Sequence, residues 1–345
     1  MDLWERAGRI GGYGAALALT PYLVIKVSWV LGSLLGLAPV GAGFDVAGWV
    51  ALNTVTVGMA ATGIAVALAL VRPWGARLPG RPLTFCAWVG TGFLVPLLPY
   101  AVLGSLLPSE GGARGGADDD PSMPGWEAVL VQIGFVGMGI GLALALPAYL
   151  RRRWPGVFTG RTGDGGHGPL LVPPWPAVAA IAIAAVWLYW AAGGTAGIAR
   201  PAERDLTGRL LTGVLGGWSL LAAAATWALV RGRPARLPRR VPLVPCWLGS
   251  GALFAWSAWK LPFTLYLALA EPADAALPEN LAVAAVLHVV AVGTGAAMLR
   301  ELVRARAGRG RPERRGAGDA PPPPTSPGPG ATSPAPGPAA PCASP

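Results

Sequence analysis

Eight apolar stretches of more than 20 residues each, separated by short clusters of charge, constrain this chain more than any other feature. They cover 10–37, 46–71, 83–107, 127–150, 174–199, 207–230, 242–270 and 280–300. About 20 residues at 1.5 Å per residue cross a hydrocarbon core of roughly 30 Å. Eight such helices packed in water would leave almost no polar surface. The charged fraction, 13%, fits the bilayer, since a soluble domain carries about 25%. The expected fold is therefore an all-α polytopic membrane protein with eight transmembrane helices.

Orientation follows from arginine. The connections on one side are the N-terminus, 72–82, 151–173, 231–241 and everything from Arg300 onward, and they hold 21 Arg. Those on the other side, 38–45, 108–126, 200–209 and 271–279, hold 4. Cytoplasmic loops collect positive charge, so both termini are expected in the cytoplasm. The net charge of +10 is thus accounted for by helix ends and points to no nucleic acid. Twenty-five Arg against two Lys, beside 50 Gly and 36 Pro, has the bias of a GC-rich genome, and the expected location is a bacterial plasma membrane. The first apolar stretch is too long for a signal-peptide core and is expected to remain as the first span. Residues 308–345, rich in Pro and Gly, cannot bury a core and read as a disordered cytoplasmic tail.

An internal repeat divides the spans into two sets of four. Leu70-Val71-Arg72, Ala76 to Pro79, Trp88, Gly90 and Gly92 match Leu229-Val230-Arg231, Ala235 to Pro238, Trp247, Gly249 and Gly251 at a constant offset of 159. Trp29, Gly32, Gly36 and Ala38 match Trp190, Gly193, Gly197 and Ala199 at 161. Gln132, Gly137 and Gly139 match His288, Gly293 and Gly295 at 156. An even number of spans per repeat makes the two halves parallel, related by an axis along the membrane normal. The expected divisions are 1–155, a cytoplasmic linker at 156–173, 174–307 and the tail.

The segment from Lys26 through Trp29 and Gly32 to Gly36, echoed from Trp187 through Trp190 and Gly193 to Gly197, resembles the first-helix motif of a small four-helix bacterial membrane family, in which a basic residue precedes Trp and Leu-Gly-Gly. The resemblance implies a tandem duplication of that unit. The family has no established activity, so it implies architecture only. The second copy departs from the motif, with Trp187 in place of the basic residue.

Candidate functional residues are polar groups in costly places. Gly32/Gly36 and Gly193/Gly197 have small-xxx-small spacing, which lets helices approach closely, and they are read as a packing seam. Gly137/Gly141 and Gly213/Gly217 share that spacing. Both lysines lie inside spans, although the charge clusters between spans use Arg. At 1.5 Å per residue Lys26 and Lys260 sit roughly 3–6 Å beyond the midplane. A central Lys costs about 2.5–3.5 kcal/mol on insertion scales, so such residues face a bundle interior, face water or snorkel. His288, Gln132 and Asn53 stand at a comparable level, and together the five suggest one polar layer. Two cations with no carboxylate in the middle of any span suit an anionic lipid or another small anion.

Cys86, Cys246 and Cys342 form no metal or disulfide framework, and no cofactor is implied. No nucleotide loop, zinc motif or partnered serine triad is present, so the expected role is non-enzymatic: a membrane binding or accessory protein. A carrier or channel for an anionic or amphiphilic substrate, using Lys26, Lys260 and His288, is the alternative. A lipid-modifying membrane enzyme is the second.

Overall fold

The computed structural model describes residues 3–37, 40, 45–106, 125–164, 174–270 and 277–307. Residues 308–345, for which a disordered tail is expected, lie outside the described residues, as do parts of the linker and of three connections. The described helices are α1 (Leu3–Leu34), α2 (Val46–Val71), α3 (Gly80–Leu94), α4 (Leu97–Leu106), α5 (Gly125–Arg153), α6 (Trp175–Ala191), α7 (Leu206–Arg231), α8 (Arg240–Ala270) and α9 (Leu281–Ala307). Seven of these segments, with α3 and α4 counted as one, are long and apolar enough to cross a membrane.

Several ends shift, as at α1, which starts at Leu3, and α9, which runs to Ala307, and two expected spans change in form. The stretch 83–107 is two helices, because Pro96 has no N–H to continue the ladder and its ring crowds the preceding turn. The stretch 174–199 holds a helix of only 17 residues, since α6 stops at Ala191. Gly193 ends it with φ +97, donating to Trp190 O at 3.1 Å, while Gly194 donates to Tyr189 O at 2.9 Å. Helix α1 ends in the same way at Gly36, φ +68, where Leu37 N bonds Gly32 O at 2.7 Å. Both are left-handed caps that occupy the last carbonyls, a conformation glycine adopts without strain.

These endings correct the packing seam assigned to Gly32, Gly36, Gly193 and Gly197. Gly36, Gly193 and Gly197 (φ +80) all lie past helix ends with positive φ, and Gly32 lies in the last turn of α1. The close approach of helices occurs elsewhere. On α5, Gly137 meets Ala18, and Gly141 meets the α1 backbone at Gly11 and Ala15. Gly213 and Gly216 of α7 face Ala191 and Leu188 of α6.

The two halves place their fourth helix differently. In the first, α5 packs chiefly along α1. In the second, α9 packs chiefly along α8, where Gly295 faces Ser250 and Phe254, and it touches α6 far less. Gly293, matched to Gly137 in sequence, accordingly has nothing within 4 Å of a built Cβ. The first half is closed by a glycine seam, whereas in the second α6 and α9 meet less extensively.

Helix α3 joins the halves by packing on α8. Trp88 Nε1 donates to Ser250 Oγ at 3.2 Å, and Trp247 Nε1 donates to Thr91 Oγ1 at 3.0 Å. Trp88 and Trp247 are 159 residues apart, as are Thr91 and Ser250, so the two bonds are reciprocal. Between them Gly92 meets Gly251, again 159 apart, backbone to backbone.

A similar correspondence caps α2 and α7. Asp45 Oδ1 accepts from Gly48 N at 2.8 Å, and Asp205 Oδ1 accepts from Gly208 N at 2.8 Å. Each satisfies an orphan amide of a first turn, so Asp45→Ala and Asp205→Ala are each expected to cost about 1 kcal/mol. The check is the thermal midpoint of each variant in detergent beside wild type. Midpoints unchanged in both would refute the capping role.

Candidate functional site

The second half holds a cavity of about 210 Å³. It lies among α6, α7, α8 and α9 at the end that carries residues 203–205 and 277–279. Its apolar walls are Trp187, Trp190 and Trp256. The early stop of α6 makes room for it, because the chain from Gly193 onward turns aside instead of continuing the helix.

That chain forms a roof. Ala199 N and Arg200 N both donate to Pro278 O, at 2.8 and 2.9 Å, and Asn280 N donates to Gly197 O at 3.0 Å. Trp190 Nε1 donates to Ala196 O at 2.8 Å, which ties the turn to the cavity wall. Arg204 enters from the roof and is held there. Its Nη2 donates to Thr212 Oγ1 at 2.9 Å, its Nη1 reaches Trp190 O at 3.4 Å, and the guanidinium lies over the Trp190 ring at 5.8 Å.

The polar floor comes from α8 and α9. Lys260 and Ser257 lie one helical turn apart on α8 and both line the cavity, with His288 of α9 facing them. His288 Nδ1 lies 3.2 Å from Ser257 Oγ. In one tautomer the serine O–H is given to the ring and Nε2–H is left as a donor. In the other the ring N–H is given to the serine, whose own O–H is then left over. Either way the pair keeps one donor to offer. The Lys260 ammonium forms no ion pair among the described residues. A cation, a spare donor and an anchored guanidinium around a small aromatic cavity are what a carboxylate or phosphate needs to be held out of water.

The single polar layer expected from depth does not form. Lys260 and His288 meet in this cavity, but Lys26 lies in the first half. Its Nζ sits 4.0 Å from the Trp29 ring centroid and 5.6 Å from that of Tyr22, and the residue is 3% exposed. Trp29 stacks on Trp49, and Asn53, buried in α2, donates to Trp49 O at 2.9 Å. Lys26 and Asn53 therefore belong to an aromatic cluster between α1 and α2. A buried cation on an indole face gains about 2 kcal/mol or more, which helps hold it there. Gln132 is exposed on the outer face of α5 and joins neither group. Depth along a helix sets the level of a side chain but not its azimuth, and azimuth separated these residues.

Arg204, Ser257 and the three tryptophans are absent from the sequence-based candidates. The signal for Ser257 was its spacing from Lys260, one turn apart on one face. The signal for Trp187 and Trp190 was their match to Lys26 and Trp29 at an offset of 161. Arg204 carried no signal beyond its place among charged loop residues.

Fold and site together define the class: a helical protein suited to cross a bilayer several times, with a small polar cavity at one end of its second half. No protein-family model, curated protein or solved structure matches the chain.

Proposed function

We propose that this is an eight-span plasma-membrane protein, both termini cytoplasmic, built as two parallel four-helix repeats. Its role is to bind a small anionic or amphiphilic molecule in the cavity of its second repeat, without turning it over. The observation that carries the binding reading is Lys260 beside the His288–Ser257 pair inside that cavity. The repeat is supported by the reciprocal bonds of Trp88 and Trp247 and by the matching Asp45 and Asp205 caps. Parallel orientation is supported by the 21 to 4 division of Arg between the two sides. In that orientation the cavity opens on the outer face.

The eighth span is α6, which at 1.5 Å per residue is about 25 Å long and needs its flanking residues to complete the crossing. The resemblance of the first helix to a small four-helix family fits a duplicated unit and adds no activity. In the first repeat Lys26 lies against Trp29 and Tyr22, and α5 packs along α1. Binding therefore belongs to one repeat and structural support to the other.

The test is native mass spectrometry of the protein from mixed-lipid nanodiscs, with Lys260→Met and Lys26→Met run beside wild type. Wild type and Lys26→Met are expected to carry an anionic adduct that Lys260→Met binds at least about tenfold more weakly, as the loss of one charge-assisted bond implies. Identical adducts on all three proteins would overturn the assignment of the site.

A further inference from the structure

Basic groups line the cavity at both depths, Lys260 below and Arg204 at the roof, whereas carboxylates line only the mouth. Lys260 lies ten residues before the end of α8 at Ala270, about 15 Å down at 1.5 Å per residue. His288 lies seven residues into α9, about 10 Å down. The carboxylates sit nearer the helix ends. Glu279 immediately precedes the capping Asn280 of α9, and Glu203 and Asp205 immediately precede α7. Two of the three are engaged, Glu203 with Arg200 at 3.2 Å and Asp205 with the first turn of α7. Glu279 forms no ion pair among the described residues, and the roof holds its backbone in place through Pro278 O and Asn280 N.

We infer that the ligand is a small amphipathic zwitterion, bound with its anionic group at Lys260 and the His288–Ser257 pair, its ammonium at Glu279 and its apolar body among Trp187, Trp190 and Trp256. This rests on the cavity being a ligand site as proposed above. A plain anion answers Lys260 and Arg204 but leaves the Glu279 carboxylate without a counter-charge from the ligand, and a plain cation answers Glu279 but leaves Lys260 unanswered. A molecule with both charges answers each with its opposite. Size narrows the class further: 210 Å³ is room for about seven waters, a metabolite-sized space and not a drug-sized one. Free amino acids with aliphatic side chains meet this description. So does the ethanolamine phosphate headgroup of a lipid whose tails leave between α6 and α9.

The test is a titration of the full chain in phosphatidylglycerol nanodiscs, followed by tryptophan fluorescence. The probes are leucine, its des-amino analogue 4-methylpentanoate, its decarboxylated analogue isoamylamine, free phosphoethanolamine, and nanodiscs doped with phosphatidylethanolamine. Leucine or the ethanolamine probes are expected to bind about tenfold or more tighter than either singly charged analogue, the equivalent of one charged hydrogen bond. Glu279→Gln is expected to bring the zwitterion down to the affinity of 4-methylpentanoate while leaving 4-methylpentanoate itself no weaker. Its elution as a single peak at the wild-type position checks folding.

Binding by leucine alone identifies a free zwitterion as the ligand, and binding by the ethanolamine lipid alone identifies a headgroup. If 4-methylpentanoate binds as well as leucine and Glu279→Gln changes nothing, the zwitterion inference is wrong while the anion site stands. If no probe binds, both readings fall.

Discussion

Gly251→Leu is expected to destabilise the protein by about 3 kcal/mol or more, at the upper end of what overpacking a close-packed interior costs. The obstacle is backbone. A Cβ on Gly251 would stand 2.8 Å from Gly92 Cα and 2.9 Å from the Trp88 carbonyl oxygen. A flexible side chain could turn away from the intruder, but these atoms move only if α3 and α8 separate. Separation would break both tryptophan bonds and lift the Phe93–Trp256 stack, whose centroids lie 4.6 Å apart. Gly217→Leu on α7 is the control, since nothing lies within 4 Å of its built Cβ. The measurement is the fraction of monodisperse protein surviving a series of heating steps in detergent. Equal midpoints for the two variants would show that α3 and α8 do not meet as described.

Trp88→Ala is expected to cost about 3–5 kcal/mol, the range for emptying a buried aromatic site. Trp88 is fully buried, against Phe85 at 5.6 Å and Phe254 at 5.0 Å between ring centroids. Trp88→Phe keeps a six-membered ring and loses the fused five-membered ring together with its bonds to Ser250 and Trp247. An interhelical hydrogen bond in a membrane averages about 0.6 kcal/mol, so the Phe variant should lose only part of what the Ala variant loses. Trp247→Phe should lose a similar amount, since its bond to Thr91 mirrors that of Trp88. The same heating series reads all three. A Phe variant as damaged as the Ala variant would mean that the indole N–H, not ring volume, holds the halves together.

Among the described residues hydropathy alone placed the long apolar helices, with α3 and α4 as one stretch, since length and apolarity are one-dimensional properties of a segment. It missed where helices stop. Two residues past Ala191, where α6 ends, stands Gly193-Gly194, whereas Gly32-Ser33 follows Val30, its match at an offset of 161, where α1 continues, so a doubled glycine marks the earlier stop. The two segments differ in what their ends meet, Pro278 and Asn280 in one case and α2 in the other. The glycine spacing failed for the two pairs at helix ends and held for Gly137/Gly141. Small-xxx-small marks a face only if the segment is helical, and Gly193 and Gly197 lie beyond the end. Gly137/Gly141, with the same spacing inside a helix, does form a seam on α1, while the contact of Gly92 with Gly251 has no such spacing and needed the partner helix to be known.

The polar residues were legible as a group placed at cost, but not as a site. Lys260 and His288 share a cavity because α9 leans on α8. Lys26 is excluded because α5 leans on α1. Neither choice is written in the lysines themselves.

On the eight-span reading proposed above, the shortness of α6 has an elastic consequence. A hydrocarbon core of roughly 30 Å meets a helix of about 25 Å along that edge, while its neighbours span the full thickness. Lipids beside α6 must shorten or tilt, at fractions of a kcal/mol per Å of mismatch. Because the turn that shortens α6 also roofs the cavity, this strain falls on its mouth. Longer acyl chains pull on the roof and shorter ones relax it, so the thickness of the surrounding bilayer becomes a variable that the site feels.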